Sequence, residues 1–164
     1  MTDAAVRIMD GMNDHAIAEE LAEVVRRRGL TVAVAESLTA GQIATSLGAA
    51  PDSAEWFRGG IVAYAAEVKH KVLGVPRVPV VSETAAKAMA EGVNSLLGAT
   101  LSVAVTGVGG PGPQDGEPAG SVWFSVADDS VTASHRQFDG DPEQVLEQTV
   151  QRALELLLEA ARRH

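Results

Sequence analysis

The chain contains no cysteine. That excludes disulfides, thiolate nucleophiles and Cys-ligated zinc, and it fits a reducing cytoplasm. Positive charge is also scarce: 13 Lys and Arg against 22 Asp and Glu leave a formal net charge of −9. A general nucleic-acid binder needs a basic face for phosphates, so that class is excluded, and an anionic membrane surface suits the chain no better. No apolar run approaches the roughly 20 residues of a membrane span. The opening "MTDAAVRIMDGMNDH" has no basic start followed by an apolar block, so no signal peptide is expected. Nowhere do His, Asp and Glu fall at metal-ligand spacing. These absences leave a cytoplasmic protein: a flexible lead over 1–13, then one domain over 14–164. A homo-oligomer is expected from how often acidic α/β domains with apolar helix faces associate.

What is present is a 164-residue chain, 46% apolar, large enough for one core. Asn13 or Asp14 can cap a helix whose Ile17, Leu21, Val24 and Val25 recur at helical spacing and which stops at Gly29. "TVAVA" (31–35) reads as a buried strand, and "SLTAGQIATSLGAAP" as a short helix. "WFRGGIVAYA" (56–65) is a second strand and "AEVKHKVLGV" a second short helix. Ser82 with Glu83 opens a helix that Gly98 closes. "TLSVAVTG" is a strand that enters a glycine and proline loop. "SVWFSVADDS" and "VTASHRQFDG" form a strand pair. Asp141 caps a final helix with Pro142 at its first position. Strands alternate with helices and a hairpin follows, which predicts an α/β fold, a three-layer α/β/α sandwich with a mixed sheet of about five or six strands. In such sheets ligands sit beyond the carboxyl ends of the strands. Two segments put small polar residues there: Glu36 to Gly41, and Thr106 to Gly112.

Three roles fit Ser37 at the end of its strand: a plain helix cap, a phosphate holder, or a nucleophile beside backbone N–H groups. A nucleophile needs a base. The four histidines are scattered, whereas Lys69 follows the strand that Tyr64 ends. A lysine kept neutral by burial can serve as a base; otherwise Lys69 is a solvated helix residue and Tyr64 belongs to the core. Gly107, Gly109 and Gly112 spell G-x-G-x-x-G, but Pro111 and Pro113 stand where a dinucleotide-binding helix would begin, so a Rossmann site is rejected. The loop still reads either as a close approach of backbone to ligand or as a long surface connection.

"AESLTAGQIA", "GGIVAYAAEVKHKVLGV", "VSETAAKAMAEG", "AVTGVGGPG…EPAGSVWFSV" and "FDGD" occur in that order. Together they resemble the C-terminal domain of the competence/damage-inducible CinA family, from about Ala18 to the end. The resemblance implies hydrolysis of the carboxamide of nicotinamide mononucleotide, with release of ammonia and without metal or organic cofactor. It implies Ser37 as nucleophile, Lys69 as base and Tyr64 as partner of both. Thr39, Ala40 and Gly41 fall on the same turn, and Thr106, Gly107, Gly109 and Gly110 on the loop against the nucleotide. The oxyanion would rest on N–H groups at the start of the helix after Ser37.

Measured against that family pattern, the chain departs at Leu38 and Ala40, at Ala65 and Ala66 beside Tyr64, and at Pro142. The last replaces an arginine expected to contact the substrate's phosphate, so a related amide is an alternative substrate. Two rival readings remain: a Ser37–His135–Asp triad, and a non-catalytic nucleotide-binding module.

Overall fold

A computed structural model describes residues 13–164; apart from Asn13, the expected lead lies outside the described residues. Helix α1 (Asp14–Arg28) starts where the Asn13 side chain accepts the Ala16 N–H at 2.8 Å and ends at Gly29. Strand β1 (Val32–Glu36) is buried along its whole length. Then come α2 (Gln42–Gly48), a single turn α3 (Ser53–Trp56), β2 (Phe57–Val62), α4 (Ala66–Leu73) and α5 (Glu83–Leu97). Strands β3 (Leu101–Gly107), β4 (Ser121–Ala127) and β5 (Val131–Gln137) precede the final helix α6 (Pro142–Arg163). Asp141 and Gln144 close a capping box at its start.

The five strands form one mixed sheet in the order β2-β1-β3-β4-β5. β1 pairs parallel with β2 and β3, and β4 and β5 continue antiparallel. The two faces carry side chains of different size, as the two-residue period of a strand allows. Val32, Val34, Val103 and Val105 meet α1, α2 and α6 through Ile17, Leu21, Ile43, Leu154 and Leu157. Ala33, Ala35 and Ala104 face α4 and α5, where Leu73, Met89 and Val93 fill the second core. The small residues on that face let an alanine-rich helix pack close to the sheet. The result is the expected three-layer α/β/α arrangement, with five strands.

Two boundaries differ from the sequence expectation. The element after Ser37 is not yet helix: Ala40 (φ 48°) and Gly41 (φ 101°) are left-handed, and α2 begins only at Gln42. The strand expected over 56–65 covers only Phe57–Val62. Trp56 closes α3, with its indole N–H donating to the Pro51 carbonyl at 3.0 Å.

Leaving β1, the chain crosses one face of the sheet through α2 and α3 to reach β2. It then crosses the other face through α4 and α5 to reach β3. This reversal makes the carboxyl end of β1 the topological switch point, where open α/β sheets bind their ligands. The pairing of Glu36 with Val62 and of Ala35 with Ala104 brings the carboxyl ends of β1, β2 and β3 together.

The two helices of the second crossover touch at Gly92, where an added Cβ would lie 2.3 Å from the Leu73 carbonyl oxygen. Leu73 ends the helix that carries Lys69, so a methyl here must push α4 away. Gly92→Ala is therefore expected to destabilise the fold by about 1–3 kcal/mol and to lower turnover, measured by denaturant unfolding beside an activity assay.

Candidate active site

At the switch point lies a cavity of about 520 Å³. Ser37, from the end of β1, and Lys69, from the middle of α4, both open onto it. The Lys69 amine is 2.9 Å from the Ser37 hydroxyl. It also donates to the Tyr64 carbonyl oxygen at 3.1 Å. Lys69 is only 2% exposed and Ser37 7%. Burial pushes the Lys69 amine below its ordinary value, and the nearby Asp115 carboxylate partly opposes that shift. The two residues the sequence paired are thus in hydrogen-bonding contact, in surroundings that favour the neutral amine.

Tyr64 does not belong to the core. The residue is 68% exposed and lines the cavity, and it is the backbone carbonyl that engages Lys69. That carbonyl accepts one of the amine's hydrogens and fixes its direction, so a lone pair of the neutral amine can point at Ser37.

The turn after Ser37 is organised by a residue that sequence reasoning left without a role. Glu36 is 0% exposed. Its carboxylate accepts the Thr39 hydroxyl at 2.6 Å and the N–H groups of Ile43 and Ala44 at 2.9 and 3.0 Å. Gly41 occupies the capping position of α2 and has no side chain to cap with. Glu36 reaches across the turn and does it instead, satisfying donors a helix start leaves open. The signal was a carboxylate ending an otherwise apolar strand.

This arrangement bears on two expectations. Thr39 is buried on Glu36, and Thr39, Ala40 and Gly41 shape the turn and do not line the cavity. The first N–H groups of α2 are occupied, that of Gln42 by the Thr39 carbonyl and those of Ile43 and Ala44 by Glu36, and so are not open to an oxyanion. By contrast, Leu38, Gly109 and Gly110 line the cavity, and no hydrogen bond among the described residues engages their N–H groups. Glu36→Ala removes three charge-assisted bonds and is expected to cost about 3 kcal/mol or more. Glu36→Gln keeps the shape and two acceptor sites at its oxygen. It is expected to retain most of the stability while lowering kcat more than it raises KM.

Thr106, Gly107, Gly109 and Gly110 all line the cavity. The Thr106 hydroxyl donates to the Val80 carbonyl oxygen at 2.6 Å, tying β3 to the segment before α5. The glycine loop beyond is a folded excursion, not a loose connection. The Val108 N–H donates to the Ser121 carbonyl at its base, and Gln114 and Glu117 exchange backbone bonds at its tip. Between them Asp115 (φ 52°) and Gly116 (φ 78°) are both left-handed, as a type I′ turn requires. The Asp-Gly pair was the available signal for this turn, and it places Asp115 on the cavity wall.

His135 takes no part. Its Nε2 lies 2.8 Å from the Ser121 hydroxyl and its ring 5.0 Å from that of Trp123. It does not line the cavity, so the Ser37–His135 triad is not assembled. Among the described residues no cluster of His, Asp and Glu could hold a metal ion, and no helix is long and apolar enough to cross a membrane.

Comparison with known proteins agrees with this architecture. Over 150 residues, the chain is 42% identical to the nicotinamide-nucleotide amidohydrolase PncC of Pseudomonas putida, covering 87% of this chain and 94% of the relative. A CinA-like protein of Frankia casuarinae is 44% identical over 138 residues, 80% of this chain but only 32% of the relative. The chain thus spans nearly all of one relative and about a third of the other. Among solved structures, a CinA superfamily protein of Klebsiella pneumoniae superposes with a TM-score of 0.89 at 33% identity, covering 93% of this chain and 100% of that one. The family model for the CinA C-terminal domain matches residues 14–161. From the first residue of α1 to the last turn of α6, the chain belongs to the CinA C-terminal domain family.

Proposed function

We propose that this chain is an amidohydrolase that cleaves the carboxamide of a pyridine nucleotide such as nicotinamide mononucleotide, with Ser37 as nucleophile and Lys69 as base. The observation that carries the reading is the 2.9 Å contact between a buried lysine amine and a serine hydroxyl on a cavity wall. A solvated lysine would be an ammonium with no lone pair to accept a proton. Burial shifts Lys69 toward the neutral form, and the Tyr64 carbonyl holds it in line.

In the first half-reaction the Ser37 hydroxyl passes its proton to the Lys69 amine as its oxygen attacks the amide carbon. Negative charge then gathers on the carbonyl oxygen, and the free N–H groups of Leu38, Gly109 and Gly110 are its candidate donors. Each such donor is typically worth about 3 kcal/mol in the transition state. The tetrahedral intermediate collapses as Lys69 returns its proton to the leaving nitrogen, releasing ammonia and leaving an acyl ester on Ser37. Water, deprotonated by Lys69, then attacks that ester; the acyl–oxygen bond breaks, Lys69 returns the proton to the departing Ser37 oxygen, and the pyridine carboxylic acid is released. The first proton moves between two groups already in contact, and Lys69 carries each later one, so the scheme calls on no metal or organic cofactor.

The name of the Pseudomonas putida relative supports the same chemistry. The test is ammonia release from nicotinamide mononucleotide by the purified protein, with conversion of carboxamide to carboxylate followed by mass spectrometry. Steady release is expected. No release from any pyridine carboxamide would contradict the reading.

A further inference from the structure

We infer that strand β5 is an open pairing edge for a second copy of this chain, the two copies meeting about a two-fold axis at Ser134 so that their sheets run on into one. The sheet has two edges, β2 and β5. The β2 edge is blunted, as exposed edges usually are. Its register with β1 slips between Val32 and Ala33, and Gly59 (φ 126°) is left-handed. β5 has neither guard. It pairs with β4 without a break from Val131 to Gln137 and contains no proline, glycine or bulge.

Which peptide groups of β5 are open follows from the ladder. The Asp128 N–H donates to the Ser130 carbonyl and the Phe138 N–H to the Gly120 carbonyl, at the two ends of the hairpin. All four are even-numbered positions, and antiparallel bonds recur at every second residue. Thr132, Ser134 and Arg136 therefore spend their N–H and C=O groups on β4. Val131, Ala133, His135 and Gln137 turn theirs outward.

The same strand of a second copy can meet those groups in antiparallel order. One register alone pairs all 7 residues: Ser134 against Ser134, Ala133 against His135, and Val131 against Gln137. It sets odd positions against odd positions, as the outward groups require, and leaves Ser134 in a non-hydrogen-bonded pair on the axis. The sequence suits it. The first half of the strand, Val-Thr-Ala, is short and the second, His-Arg-Gln, is long, so each long side chain lies against a short one. Arg136 never meets its own counterpart. It opposes Thr132 of the second copy, which shares a depression with Arg152, Glu159 and Arg163. There Arg152 is divided between Glu155 at 3.1 Å and Glu159 at 3.3 Å, and Arg163 makes no ion pair with Glu159 among the described residues. The incoming guanidinium completes the pairing that Glu159 has only in part.

Because the chain has no cysteine, a single introduced thiol reports the register. Ser134→Cys is expected to form a disulfide-linked dimer under mild oxidation, since a pair on the axis brings its Cα atoms within bridging distance. Thr132→Cys is expected to form none, because the two copies of that position lie about 13 Å apart in this register. Analytical ultracentrifugation of the unaltered protein is expected to show a dimer that dissociates on dilution. Its Ala133 and His135 amides should resist hydrogen exchange in the dimer and exchange freely in the monomer. Ala133→Pro removes one outward N–H and no bond to β4, so it is expected to keep the native circular dichroism and to raise the dissociation constant about tenfold or more. A chain that stays monomeric at submillimolar concentration overturns the inference and leaves the edge to a strand of some other protein. A dimer whose Ala133 and His135 amides exchange freely overturns it too, as does one that Thr132→Cys links as readily as Ser134→Cys.

Discussion

Lys69→Met is expected to lower ammonia release by about 10³-fold or more while leaving the protein as stable as before, or more so, at pH 7. The activity loss follows, in the proposed mechanism, from removing the amine in contact with Ser37. Unchanged or higher stability follows from the same burial that makes the base. In the unfolded chain Lys69 binds its proton up to about pH 10.5, whereas in the fold burial pushes that value down. Between the depressed folded value and 10.5 the unfolded state holds more protons, so this lysine costs stability at neutral pH and the cost fades as pH rises. Methionine has a similar length and no charge to desolvate. The variant's melting temperature should therefore equal or exceed that of the native chain at pH 7, with the gap closing toward pH 10.5. Differential scanning calorimetry across that range reads the effect directly. A solvated, merely structural lysine would give no such pH-dependent gap.

Ser37→Ala is expected to abolish turnover to roughly one part in 10⁴ or less and to leave substrate affinity close to that of the native protein. In the proposed mechanism Ser37 is the acyl acceptor, and without it Lys69 loses the hydroxyl it contacts on the cavity wall. The residual rate would come from binding and from the N–H donors acting on a water. The removed group is one buried oxygen at a cavity edge, so the fold should barely register its loss. A combined Ser37→Ala, Lys69→Met protein should be no slower than Ser37→Ala alone, because the two residues act as a unit. If the double variant loses a further large factor, the residues work separately and the paired mechanism is wrong.

The contact between Ser37 and Lys69 was legible in the sequence only through the ordered motifs; neither residue announces itself alone. Helix caps at Asn13, Ser82 and Asp141 could be read residue by residue, because each is a local event between a side chain and the next turn. The strands could be read from their β-branched, unpunctuated runs. The turn over 37–41 could not. Its conformation depends on Glu36 reaching α2 across seven and eight residues, which no local propensity encodes. Tyr64 was misjudged for a related reason. An aromatic after an apolar strand usually turns inward, but here β2 is the edge strand and the chain leaves it at the open end of the sheet. The charge of the cavity was also invisible, since Asp115 reaches it only through the fold of a glycine-rich excursion.

These lines of argument meet in the protonation state of one amine. The direct measurement is an NMR titration of the Lys69 side-chain nitrogen in the intact protein, assigned by comparison with Lys69→Met. The signal is expected to titrate below 10.5, and lower still in Asp115→Asn, where the opposing carboxylate is gone. A Lys69 amine that titrates at its ordinary value, unmoved by loss of Asp115, would be an ammonium throughout the working range. It could not take the Ser37 proton, and the proposed chemistry would be contradicted.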